Sequence, residues 1–310
     1  MMKRIMHRVF LPLALLGSAF ALWRPEAFAW ARGYIPTLLG VIMFGMGMTL
    51  TGRDFAAVFR MPVVVATGLA AQFVFMPLAA FVLATIFGFE QALLVGMVLV
   101  GSSPGGTASN VVAYLAGANV ALSVTLTACA TLLAPLLTPA LVGVYAGAVV
   151  DVPLWPMVAS VARIVLLPVL CGIALRHWLG TRLDPLLRGF PWVAMFAIVL
   201  VIAIIIALNR TIVLDFPLAL MVAVALHNLL GLAAGNLSGR LLGVGERERR
   251  TLAIEVGMQN SGLAVALASQ FFAPLSALPG ALFSLWHNVS GVLLANWWRR
   301  AGSDSTAVES

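Results

Sequence analysis

Long apolar runs fill this chain, punctuated by short clusters of glycine, proline and charge rather than by the two-residue alternation of barrel strands. Most of the runs approach the roughly 20 residues that a helix needs to cross a hydrocarbon layer. The pattern predicts ten membrane-crossing helices, at 9–23, 34–51, 62–87, 91–117, 119–147, 154–178, 190–208, 216–243, 249–272 and 278–298. The fourth and ninth carry polar, glycine-rich interruptions where a helix should unwind, and the fifth should bend at Pro135 and Pro139. These interrupted segments stand five apart, as expected of two five-helix repeats, and five being odd makes the repeats opposite in orientation. Residues 1–150 would form the first repeat, 151–300 the second, and 301–310 a cytoplasmic tail.

Composition supports this all-α multi-span class. Of the 310 residues, 62% are hydrophobic and only 9% charged, against about 25% charged in soluble domains. Mean hydropathy is +1.06. A net charge of +7 would point to nucleic acid in a soluble protein, but here the basic residues follow topology, so no nucleic-acid partner is expected. If the N-terminus is cytoplasmic, the cytoplasmic side holds Lys3, Arg4, Arg8, Arg53, Arg60, Arg176, Arg182, Arg188, Arg240, Arg247, Arg249, Arg250, Arg299 and Arg300. The opposite side holds only Arg24, Arg32 and Arg210, while Arg163 falls within a span. The positive-inside rule therefore predicts both termini in the cytoplasm, as an even number of spans requires. The expected location is the inner, or plasma, membrane of a prokaryote.

The first run imitates a secretory signal: basic residues precede it, and Ala27-Phe28-Ala29 resembles a cleavage site. Pro12 and Trp23 interrupt it, and the parity of spans needs it, so we expect it to be retained as the first span. Cys129 and Cys171 both fall in apolar runs and read as buried small hydrophobes rather than a disulfide pair.

Candidate chemistry concentrates at the interruptions. The first is Gly101–Asn110, GSSPGGTASN, in which Ser109 and Asn110 add side-chain oxygens just after the break. Unwound backbone at membrane depth persists only inside protein or along a cavity. The restarting helix would point its N-terminus, with free N–H groups, into the gap, an arrangement suited to a carboxylate. A plain kink with close-packed small residues is the simpler alternative. The second is Glu255–Gly262, EVGMQNSG, where Glu255 is an acid at membrane depth with Gln259 one turn later. Such an acid is a functional-site candidate. Its oxygen-rich surroundings suit a hard cation such as Na⁺. A buried partner arginine, for which Arg163 is the mid-span candidate, or a proton would also satisfy it.

Ser123 and Thr127 lie at i and i+4 of the fifth segment, on one helix face, and Gln72 stands in the apolar stretch Ala70–Met76. His227–Asn228 and His287–Asn288 are isolated polar pairs, the first read as structural and the second open between structure and function. No nucleophile–base arrangement or Cys/His metal cluster is legible, so no enzyme is expected, and Gly105-Gly106-Thr107 lacks the lysine of a phosphate loop.

Through GTASN (Gly106–Asn110), EVGMQNSGLA (Glu255–Ala264) and ALPGALFSLWHNVSG (Ala277–Gly291), the chain resembles the bile acid:sodium symporter family, and specifically its prokaryotic ten-span members. The resemblance implies a core domain of spans 3–5 and 8–10 and a panel domain of spans 1, 2, 6 and 7, with spans four and nine crossing at their unwound centres. It implies one Na⁺ at Ser109, Asn110, Ser123, Thr127 and Glu255, and a second at Gln72, Glu255, Gln259 and the carbonyls of Val256 and Met258. Substrate would sit near Thr107, Asn260 and His287, with Asn288 beside them. Pro104 and Gly105 depart from some relatives at the substrate-facing end of the first break. The function so implied is sodium-coupled symport of an organic anion, bile acid-like, pantoate-like or a 2-keto acid, by a monomer. Proton coupling on the same fold and a passive channel are the alternatives.

Overall fold

The computed structural model describes residues 2–50, 56–106, 108–215 and 217–307, so Arg53, Thr107 and the end of the expected tail lie outside the described residues. The described residues form twelve main helices: α1 (Met2–Trp23), α2 (Ile35–Thr49), α3 (Pro62–Ile86), α4 (Gln91–Gly101), α5 (Ala108–Leu115), α6 (Val120–Ala146), α7 (154–179), α8 (Asp184–Leu208), α9 (Leu218–Leu241), α10 (Glu246–Gly257), α11 (Ser261–Phe271) and α12 (Leu278–Ala307). By length and composition, six stretches among the described residues qualify as membrane-crossing: Glu26–Thr49, Pro62–Ile86, Val120–Ala146, Leu154–Leu187, Leu218–Leu241 and Pro274–Trp298. Shorter apolar helices fill in between them. The chain is thus an all-helical multi-span membrane protein.

The fourth expected segment is two helices, α4 and α5, and the ninth is α10 and α11. The first break falls among glycines and a proline, and the second at a glycine followed by two side-chain amides. The fifth segment is a single helix, α6, assigned from Val120 to Ala146 through Pro135 and Pro139. A proline removes one ladder bond, and a helix held by its neighbours can carry that loss. The last helix likewise continues past 298, to Ala307, into the expected tail. α1 packs on α8, where Ala14 and Ala21 are buried and Gly17 faces Val199 and Ala203.

Two helices loosen locally into i→i+5 turns, at Ala71–Phe75 in α3 and Ala162–Leu166 in α7. Pro77 and Pro168 follow directly, and their i−4 carbonyls, on Phe73 and Ile164, lie inside those turns. The wider turn relieves the clash between the proline ring and that carbonyl. In α3 it also turns Gln72 inward.

α9 and α10 form the seam that matters most for the site. Gly231, Gly235 and Gly239 recur every four residues along α9. A Cβ on Gly235 would lie 2.2 Å from the Leu252 carbonyl oxygen, and one on Gly231 would lie 2.8 Å from the Gly257 Cα. Small residues let two membrane helices meet backbone to backbone, which holds α10 rigidly up to its broken end.

Candidate functional site

The two breaks meet. Gly105 and Gln259 form an isolated antiparallel bridge, Gly106 N donates to Met258 O at 2.7 Å, and Asn260 N donates to Pro104 O at 2.7 Å. Each unwound strand thereby satisfies backbone groups that its own helix has abandoned, as buried backbone requires. The approach is tight: a Cβ on Gly106 would lie 2.8 Å from the Gln259 carbonyl oxygen.

Glu255, in the last turn of α10, is 4% exposed. Its Oε1 accepts hydrogen bonds from Ser109 Oγ at 2.6 Å and from Ser123 Oγ at 2.5 Å, and its Oε2 accepts from Thr127 Oγ1 at 2.7 Å. Ser123 Oγ also lies 2.8 Å from Asn110 Oδ1, and Thr127 Oγ1 lies 3.0 Å from the Ser123 carbonyl. With the 3.5 Å contact between Ser109 Oγ and Thr127 Oγ1, six donor–acceptor contacts share three hydroxyl hydrogens. Among the described residues Glu255 makes no ion pair, and Arg163 is exposed on α7. α5, α6 and α10 thus bring Ser109, Asn110, Ser123, Thr127 and Glu255 into one buried cluster of oxygen atoms with one negative charge and a shortage of hydrogens. A small cation would satisfy all of them at once.

Gln72, Gln259, Val256 and Met258 come together alongside. Gln72 Nε2 donates to the Ser103 carbonyl at 2.7 Å and to Gln259 Oε1, and Gln259 Nε2 donates to Val256 O at 3.0 Å. Met258 O takes the Gly106 N–H. In this arrangement amide hydrogens occupy Gln259 Oε1 and the carbonyls of Val256 and Met258, so an ion held by these oxygens would have to displace them.

On the other side of the crossover lies a cavity of about 50 Å³, bounded by Gly106, Asn260, Ser261, His287 and Asn288 and by apolar Leu39, Met43 and Ile202. The first turns of α5 and α11 both face it, through Ala108 and through Ser261 and Gly262. Two helix N-termini directed at one space favour a negative group there. Asn260 caps α11, its Oδ1 accepting from Leu263 N at 3.1 Å. Asn288 Nδ2 donates within its own helix to Ser284 O at 2.7 Å, and His287 Nδ1 is buried without a partner. Thr107 lies outside the described residues. His227 stays out of the cavity, with Nε2 3.0 Å from Met76 O and its ring against Phe283.

Two features escaped the sequence reading. The Ser103 carbonyl, which receives Gln72, is a backbone group and has no side-chain signature. Asn228 proves to be hydrogen-bonded to the second break itself, through Gly257 O at 2.7 Å. The four-residue glycine spacing that starts three residues after it was a readable signal of that close seam.

The chain is similar to known transport proteins over nearly its whole length. Residues 36–216 match the Sodium Bile acid symporter family. A sodium-dependent transporter of Bacillus subtilis (strain 168), YocS, is 41% identical over 299 residues, covering 94% of this chain and 92% of that protein. A probable sodium/metabolite cotransporter of rice chloroplasts, BASS1, is 39% identical over 284 residues, covering 91% and 70% respectively. BASS1 of Arabidopsis thaliana, likewise chloroplastic, is 37% identical over 288 residues, covering 92% and 72%. With a family match over more than half its residues and relatives of this similarity, the chain belongs to the sodium bile acid symporter family and is a membrane transporter, not an enzyme.

Proposed function

We propose that this protein is a sodium-coupled symporter of a small organic anion, working by alternating access in a prokaryotic plasma membrane with both termini in the cytoplasm. The observation that carries the reading is the buried carboxylate of Glu255, held by three hydroxyls with the Asn110 amide oxygen beside them and, among the described residues, no cationic side chain within ion-pair distance. The names of relatives such as YocS and BASS1 point to the same ion.

In this reading one Na⁺ sits among Ser109, Asn110, Ser123, Thr127 and Glu255. A second sits among Gln72, Glu255, Gln259 and the carbonyls of Val256 and Met258. Both ions lie against the crossover, so their charge ties α5, α6 and α10 together and holds the two helix N-termini in place. The substrate's carboxylate then meets those N-termini beside Thr107, Asn260, His287 and Asn288. The ten spans form two inverted five-helix repeats. α3 to α6 and α9 to α12 make the core, and α1, α2, α7 and α8 the panel against which it moves. Sodium drives the cycle only through its different affinity for the two states.

A thermal-stability screen of small carboxylates tests this, since a ligand raises apparent stability by mass action. A substrate should stabilise the purified protein in sodium chloride and leave it unchanged in choline chloride at the same pH. An equal shift in both salts that grows as pH falls would move the coupling to protons. A shift indifferent to both would leave a passive pathway.

A further inference from the structure

Asn228 lies on α9 and is wholly buried, and its side-chain amide makes three hydrogen bonds to two other helices. Its Nδ2 donates to the Gly257 carbonyl at 2.7 Å. Its Oδ1 accepts from Trp286 Nε1 at 3.1 Å and from Ser290 Oγ at 2.7 Å, both on α12. An indole N–H can only donate, so the amide orientation is fixed by chemistry and Nδ2 must face Gly257.

Gly257 is the last residue of α10, two positions after Glu255. Because α10 stops there, its final carbonyls have no partner within the helix. Each carbonyl at this broken end accepts from a different donor: Val256 O from Gln259 Nε2, Met258 O from Gly106 N, and Gly257 O from Asn228 Nδ2. Holding the middle carbonyl toward α9 fixes the peptide planes on either side. The carbonyls of Val256 and Met258 are then left on the crossover side. The backbone contact of Gly231 with the Gly257 Cα, which a Cβ would approach to 2.8 Å, keeps Asn228 within reach.

We propose that Asn228 is a positioning residue for the cation site: it aims the carbonyls of the second break at the ion without touching the ion itself. This rests on the sodium reading above. The anchor runs through Trp286 and Ser290, which flank the cavity-lining His287, so the same three bonds join the ion side of the crossover to the substrate side. Outer-shell hydrogen bonds of this kind typically set metal affinity by about tenfold or more.

The test uses full-length protein in detergent, without substrate, and follows thermal unfolding as sodium chloride replaces choline chloride at constant ionic strength. Asn228→Leu keeps the branching at Cγ in a larger side chain and donates nothing. It should raise the sodium concentration for half-maximal stabilisation about tenfold. Ser290→Ala, which removes one anchor of the amide, should move it in the same direction by less. A residue that merely packs helices would lower stability in choline and leave the sodium midpoint where it was; that result overturns the proposal. If Asn228→Leu does not fold, Ser290→Ala and Trp286→Phe decide, and wild-type midpoints in both sink it. A wild-type protein with no sodium response would remove the underlying reading as well, so the two failures are distinguishable.

Discussion

Replacing Glu255 by glutamine should change stability and ion response in opposite directions. The side chain keeps its shape, but the charge goes and the new amide brings two hydrogens into a cluster where three hydroxyl hydrogens serve six contacts. Without sodium, wild type must keep a side chain that is 4% exposed either charged against hydroxyls alone or neutralised by a proton, and each option costs stability. Glu255→Gln should therefore unfold at a higher temperature than wild type in choline chloride. With sodium the order reverses. A unit charge about 4 Å from the ion is worth about 4 kcal/mol at an effective dielectric of 20, which is about a thousandfold in affinity. The wild-type transition should rise with sodium concentration and the variant's should stay flat over the same range. Differential scanning fluorimetry in matched sodium and choline series reads both effects. Should Glu255→Gln lose stability in choline yet keep the wild-type sodium midpoint, the carboxylate would be a structural hydrogen-bond acceptor and no ion ligand.

Two further perturbations separate the parts of the site. Gly106→Ala places a Cβ 2.8 Å from the Gln259 carbonyl oxygen, a backbone atom that cannot move aside alone. Overpacking of this kind costs roughly 1–3 kcal/mol, and both the melting temperature and the sodium response should fall; a variant with wild-type values would show that the breaks are free to separate. Gln72→Leu removes the donor to the Ser103 carbonyl and the contact with Gln259 while leaving the hydroxyl cluster around Glu255 intact. Sodium dependence of uptake should lose its cooperativity, with a Hill coefficient falling towards one, and an unchanged coefficient would argue against an ion at the second set.

The parts of this site that could be read from sequence are those in which one residue type is costly in its surroundings. Glu255 in an apolar run and GSSPGG in another announce themselves, because an acid and a run of helix breakers have few other reasons to lie at membrane depth. Pro135 and Pro139 are helix breakers of the same kind, yet α6 stays one helix through both, since its neighbours decide whether a missing ladder bond ends a helix. Periodicity places Ser123 and Thr127 on one face but cannot say what that face meets. Only the fold shows their hydroxyls divided between Glu255, Asn110 and a backbone carbonyl. Asn228 illustrates the limit best. It looks like ordinary helix glue, and its significance comes from the residue it reaches, a carbonyl freed by a helix that ends at Gly257. A break in a buried helix creates unsatisfied backbone groups as well as an ion site. The side chains recruited to satisfy those groups must lie on other helices, at sequence distances that no local pattern reports. That is why a site of this design extends further into the fold than its motifs do, and why variants of Asn228 and Ser290 should be felt by an ion that neither side chain touches.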